Sequence, residues 1–158
     1  MITLIVNGQE HQLEVEPQEI LVDVLQKRLN LMGVRMSCGQ GECGACTILL
    51  DNKPALACMI LAYQAEGKEI LTIEGLGSYD DLHPIQESFV EEHGFQCGFC
   101  TPGIIMSTKS LLETKPESDA SEIAMSLSGH ICRCGAYPKI IKSVQNAAEK
   151  LEKSHGKR

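Results

Sequence analysis

The chain has no tryptophan and only three phenylalanines and three tyrosines in 158 residues. A packed core must therefore be aliphatic, and an apolar content of 43% is enough to build one. No apolar run approaches the roughly 20 residues of a membrane helix, so no membrane insertion is expected. Positive charge is also scarce: 14 Lys and Arg stand against 21 Asp and Glu, a formal net charge of −7. That balance argues against nucleic acid as a partner. Neither a basic leader nor a twin arginine precedes the strand-like opening Met1-Ile2-Thr3-Leu4-Ile5-Val6. Paired carboxylates, a Ser–His arrangement and a phosphate-cradling loop are all missing, and with them the usual signs of a substrate site. Cysteine, by contrast, is plentiful at eight residues. Without a visible leader, the expected setting is a reducing cytoplasm in which thiols are kept for metal.

Cys38, Cys43, Cys46 and Cys58 are separated by four, two and eleven residues. The order C-x4-C-x2-C…C is the ligand spacing of plant-type [2Fe–2S] ferredoxins. The chemistry explains the loop's composition. Thiolates on one tight turn can grip a cluster only if the backbone wraps it, and Gly39, Gly41 and Gly44 permit that. The loop's N–H groups can then face the sulfurs and stabilise an anionic cluster. A zinc site and disulfides are the rival readings; zinc usually takes two short Cys-x2–4-Cys hooks, and three ligands in one glycine-rich loop fit that poorly.

Around this loop the first half reads as mostly strand. Residues 2–7 and 11–16 flank Asn7-Gly8, a hairpin signal. Leu21, Val24, Leu25 and Leu29 fall near helical spacing. Thr47–Leu50 predicts a strand, a turn follows at Asp51–Pro54, and an extended piece delivers Cys58. A helical turn at Leu61–Gln64 and a last strand at Glu69–Ile73 complete the half. The glycines and aspartates of Glu74–Asp81 mark a domain boundary, giving 1–77 and 78–158.

The second half holds Cys97 and Cys100, then Cys132 and Cys134, in two similar frames. A candidate helix precedes each pair, at Pro84–His93 and at Asp119–Ser128, with Gly94 and Gly129 as candidate C-caps. Pro102 and Pro138 each open a following helix. The stripe Ile104, Ile105, Thr108, Leu111, Leu112 repeats as Ile140, Ile141, Val144, Ala147, Ala148. Two helical hairpins packed face to face, with four thiolates converging at one end, are the expectation. Zinc would accept this thiolate set as well; the neighbouring ferredoxin-type loop shifts the balance toward a second iron–sulfur cluster. His83, His93 and His130 flank the set, but eight cysteines already complete two four-thiolate groups, so surface or capping roles are expected for them. Arg133, between two ligands, reads equally as a tuning charge or a surface salt-bridge residue.

Glu42-Cys43-Gly44-Ala45-Cys46-Thr47, Gln96-Cys97-Gly98-Phe99-Cys100-Thr101-Pro102-Gly103 and Cys132-Arg133-Cys134 resemble the small iron–sulfur subunit of the xanthine oxidase family of molybdenum hydroxylases. The likeness runs from the first strand to about residue 150. It implies an α+β chain: an N-terminal β-grasp, plant-type ferredoxin-like domain, then an all-α four-helix bundle, each with one [2Fe–2S] cluster. It also implies a large molybdopterin-binding partner and a medium FAD-binding partner. By the same likeness Gln96 and Cys134 match positions lying against the pterin. Gly135-Ala136 stands here where the family often has Thr-Gly. The implied role is electron transfer within an oxidoreductase complex, with no catalytic residue on this chain. A free-standing two-cluster ferredoxin or an iron–sulfur redox sensor is the alternative.

Overall fold

The computed structural model describes residues 1–155. Strands β1 (Ile2–Val6) and β2 (Gln9–Leu13) form an antiparallel hairpin in which Ile2 pairs with Leu13 and Val6 with Gln9. Asn7 and Gly8 turn it with φ of 51° and 77°, as a two-residue primed turn requires. So short a turn starts the pairing at Gln9, earlier than the apolar run at 11–16 suggests. β3 (Thr47–Leu50), β4 (Lys53–Leu56) and β5 (Glu69–Leu71) complete a five-stranded sheet in the order β2-β1-β5-β3-β4. Only β1 and β5 run parallel; the crossover between them carries the first cysteine loop.

The predicted helix after Pro17 is present in altered form. A short α1 (Leu21–Asp23) continues as a π-helical turn over Val24–Arg28, closed by the Leu29 N–H on the Val24 carbonyl at 3.2 Å. Leu21, Val22, Val24 and Leu25 are wholly buried in the first apolar core, beside Leu4, Ile48 and Ile70. β5 stops two residues sooner than expected. Thr72 turns inward, its N–H donating to Asn7 Oδ1 at 2.9 Å and its hydroxyl accepting from Asn7 Nδ2 at 3.0 Å. The chain then forms α2 (Ile73–Leu76), whose Ile73 and Leu76 lie against the second core.

That second core gathers Ile85, Phe89, Ile104, Leu112, Ile123, Ile140 and Val144 from α3 (Pro84–Glu91), α4 (Thr101–Thr114), α5 (Ala120–Ser126) and α6 (Tyr137–His155). With a mixed sheet and six helices among the described residues, the class is α+β. Asp119 caps α5, accepting from the N–H groups of Ser121 and Glu122 at 2.9 Å, while Glu122 reaches back to the Asp119 N–H. The apolar stripes are buried as read, with Leu111, Ile141 and Ala148 partly covered. Their surroundings differ, however. α3 packs along α6, whereas α4 also lies on β3 and β4. Gly103 through Thr108 are consequently all buried, and the two frames are not equivalent in space.

The C-cap expectation holds in part for Gly94, whose N–H closes α3 on the Phe89 carbonyl at 2.9 Å although it is not the left-handed residue. After α3 the left-handed residue is His93, with φ of 52°, and Gly94 follows it. A Cβ on Gly94 would sit 2.4 Å from Ser143 Oγ and 2.9 Å from the Phe89 ring, so this glycine serves the close approach of α3 to α6. Gly129 lacks a positive φ and has open space around its Cα.

Candidate metal centres

All eight cysteines are free thiols. In the first loop Gly39, Gly41 and Gly44 take φ of 63°, 79° and 70°, as the wrapping backbone requires. The N–H groups of Gln40 and Glu42 donate to Cys38 Sγ, each at 3.4 Å. These bonds, with that of the Cys43 thiol, bring the Cys38 thiol down to about 6. Burial has the opposite effect on Cys46, which is pushed up to about 12. Cys38 pairs thiol to thiol with Cys43, and Cys46 pairs with Cys58 while also sensing Cys43. Cys58 reaches the loop because the Ala57 N–H donates to the Cys46 carbonyl at 3.2 Å.

The second set repeats the pattern at the N-termini of two helices. Cys100 is the residue preceding α4, and Cys134 lies just before α6. Cys97 interacts with Cys134 and Cys132, and Cys100 with Cys132 and Cys97. Burial pushes Cys100 up to about 12. Backbone N–H of Phe99 and the Cys134 thiol hold Cys97 below the ordinary thiol range. For Cys132 burial acts upward, but N–H groups of Ala136, Cys134 and Gly135 and the Cys100 thiol outweigh it. N–H groups at a helix start favour an anion at this point.

The donor chemistry tests which group these thiols suit. Each set brings four mutually interacting thiols together, the complement that a two-iron cluster takes. The residues present therefore fit [2Fe–2S] clusters. Such a group would supply one-electron chemistry, and Cys46 and Cys100, whose thiols burial pushes up, would have to give up their protons to hold it.

The two sets meet along a seam. The Cys43 carbonyl accepts the Ile131 N–H at 3.0 Å. A Cβ on Gly103 of α4 would stand 2.4 Å from the Gly44 carbonyl oxygen, and one on Gly44 would stand 2.5 Å from His130 Nδ1. Arg35 lies over the Phe99 ring at 5.4 Å, a second bridge between the cysteine regions. The three histidines have distinct roles. His83 is the N-cap of α3, its Nδ1 accepting the Ile85 N–H at 3.2 Å. His93 occupies the left-handed turn. His130 is neither surface nor cap: it is buried at 7% exposure, with Nε2 2.7 Å from Ser107 Oγ, and burial lowers it to about 4. Gln96, Cys97 and Arg133 are exposed, and Cys134 is half-buried.

Sequence reading passed over Ser107, Tyr137, Arg35 and Gly103. The Tyr137 hydroxyl accepts the Cys132 N–H at 2.8 Å and donates to the His130 carbonyl at 3.2 Å. A glycine in the first turn of a helix was the available signal for Gly103, since such a residue weakens the helix unless a close approach needs it. Ser107 and Arg35 carry no comparable mark.

The comparisons with known proteins agree with this geometry. The 2Fe-2S iron-sulfur cluster binding domain family matches residues 4–68, and the [2Fe-2S] binding domain family matches residues 72–145. An aldehyde oxidoreductase iron-sulfur-binding subunit of Escherichia coli is 43% identical over 96% of this chain and 72% of its own length. Among solved structures, quinoline 2-oxidoreductase from Pseudomonas putida superimposes with a TM-score of 0.91 at 39% identity, over 96% of this chain and 95% of the matched chain. The aldehyde oxidoreductase of Desulfovibrio desulfuricans gives 0.92 at 42% identity over 96% of this chain, which spans only 17% of that longer polypeptide. The chain belongs to the small iron–sulfur subunits of the xanthine oxidase family of molybdenum hydroxylases. It is of the non-catalytic, electron-transfer type, not a free-standing ferredoxin.

Proposed function

We propose that Cys38, Cys43, Cys46 and Cys58 hold one [2Fe–2S] cluster, that Cys97, Cys100, Cys132 and Cys134 hold a second, and that single electrons pass through the chain from a molybdopterin centre toward FAD. The observation that carries this reading is that each of the two 2Fe-2S-binding family matches, residues 4–68 and 72–145, spans one complete cysteine quartet. The chain divides at residues 77 and 78 into a β-grasp domain and a four-helix bundle, in keeping with two separate apolar cores. Molybdopterin sits on a large partner and FAD on a medium one, in a cytoplasmic complex. No helix among the described residues is long and apolar enough to cross a membrane.

Gln96 and Cys134 face the pterin. Gln96 is exposed beside exposed Cys97, with an amide able both to donate and to accept. Phe95, Phe99, Ile131 and Tyr137 are exposed apolar residues around the same set, which supports burial of this end in a partner. Affinity purification of the chain from its native host tests the assembly. Recovery with a molybdopterin-binding and a flavin-binding subunit is expected. Recovery as a monomer, with both clusters intact and no partner, would contradict it.

A further inference from the structure

His130 stands two positions before Cys132, so the sequence assigns it to the second set. Its ring instead lies against the first. A side chain on Gly44, between Cys43 and Cys46, would run into Nδ1 at 2.5 Å and into the Gly129 carbonyl oxygen at 2.7 Å. The opposite nitrogen, Nε2, is tied to Ser107 of α4 at 2.7 Å. Nδ1 is buried and has no hydrogen-bond partner among the described residues. The imidazole thus fills the space between α4 and the turn that carries two cysteines of the first set. It cannot swing out without giving up a buried hydrogen bond.

We propose that His130 is a positioning residue for the first cysteine set, wedging the Cys43–Cys46 turn in place from the second half of the chain. The second set does not depend on the ring in the same way. Cys132 has its own supports, the Tyr137 hydroxyl on its N–H and the backbone donors of Cys134, Gly135 and Ala136. Removing the imidazole leaves a cavity beside Gly44 and strands the Ser107 hydroxyl, while the Tyr137 bonds use only backbone atoms of residues 130 and 132. The lesion therefore falls on the set that is remote in sequence. The metal-loaded form of this inference rests on the two-cluster reading above; the thiol form does not.

Three variants of the full chain test it: His130→Ala, His130→Gln, which retains a polar group near the position of Nε2, and Ser107→Ala, which cuts the same bond from the α4 side and leaves the imidazole in place. The first readout is the rate at which each cluster loses iron to a chelator, followed by paramagnetic resonance, with the first set's signal identified as the one absent in Cys43→Ser. His130→Ala and Ser107→Ala should speed loss from the first set about tenfold, the factor matching one buried hydrogen bond of about 1.4 kcal/mol. The second set should keep its wild-type rate, and His130→Gln should restore most of the first set's retention. The second readout, in the iron-depleted chain, is the alkylation rate of Cys43 and Cys46 against that of Cys97 and Cys134, mapped by mass spectrometry. The first pair alone should become more reactive. Equal effects on both sets, an effect confined to the second set, or no rescue by glutamine would overturn the proposal. If the wild-type chain carried zinc, the cluster reading would fail, and alkylation would still decide the role of His130.

Discussion

The Ile131 N–H donates to the carbonyl of Cys43 at 3.0 Å, joining the residue before one cysteine pair to a cysteine of the other set. Two metal-binding loops remote in sequence thus share a backbone hydrogen bond. The contact uses only main-chain atoms, so it survives changes to the Cys43 thiol. Cys43→Ser should remove one of two paramagnetic signals from the reduced protein and leave the other. Loss of both signals would mean that the seam carries cluster damage from one loop to the other.

The two glycines that border the seam make a matched pair. Gly103→Ala places a methyl 2.4 Å from the Gly44 carbonyl, a backbone atom with no easy escape, although residue 103 lies in a regular helix. The expected cost is about 1–3 kcal/mol, typical of overpacking. Gly129→Ala meets nothing within 4 Å and has no positive φ to forbid it, so it should leave thermal stability unchanged or slightly raised. Thermal unfolding of both variants checks the claim, and equal melting temperatures would refute it.

The α3 cap predicts a response to acid. His83 accepts the Ile85 N–H through a neutral ring nitrogen. Burial, with a smaller contribution from the charge of Lys109, holds its imidazole below the ordinary value of 6.5. As pH falls below 6.5 the unfolded chain takes up a proton that the folded chain refuses, so stability declines until the depressed folded value is passed. Protonation then also abolishes the cap. His83→Asn supplies a capping oxygen that does not titrate in this range. Denaturant midpoints measured across this window should fall less steeply with acid in the variant.

Much of this architecture was legible because its signals are local. Asn7-Gly8 demands a primed hairpin turn, Asp119 with Glu122 caps its helix, and glycines between Cys38 and Cys46 announce a wrapping loop. The two thiol quartets are a reading from spacing, which iron–sulfur ligation constrains tightly. What stayed hidden depends on contacts between distant segments. No periodicity shows that α4 lies on β3 and on the Gly44–Ala45 turn before it, and that turn is what needs Gly103. His130 misleads for the same reason: it precedes a ligand in sequence but packs against Gly44 in space. Gly94 helps close α3 through its N–H, but its need for a bare Cα comes from Ser143 on the facing helix.

Gln96 offers a test of direction. Its amide is exposed next to Cys97, so Gln96→Ala should leave folding and metal content intact. Within the assembled complex it should slow reduction of the clusters by substrate and spare their reoxidation from the flavin side. Rapid mixing separates the half-reactions. Slowed reoxidation alone would reverse the assigned order.

The central claim is that the eight thiols form two sets, each built for a two-iron cluster. Counting iron, acid-labile sulfide and zinc in one sample of the purified chain tests it most directly. About four iron atoms and about four sulfides per chain, with no stoichiometric zinc, are expected. About two irons with one zinc would leave the Cys38–Cys58 set standing and contradict the assignment of Cys97, Cys100, Cys132 and Cys134.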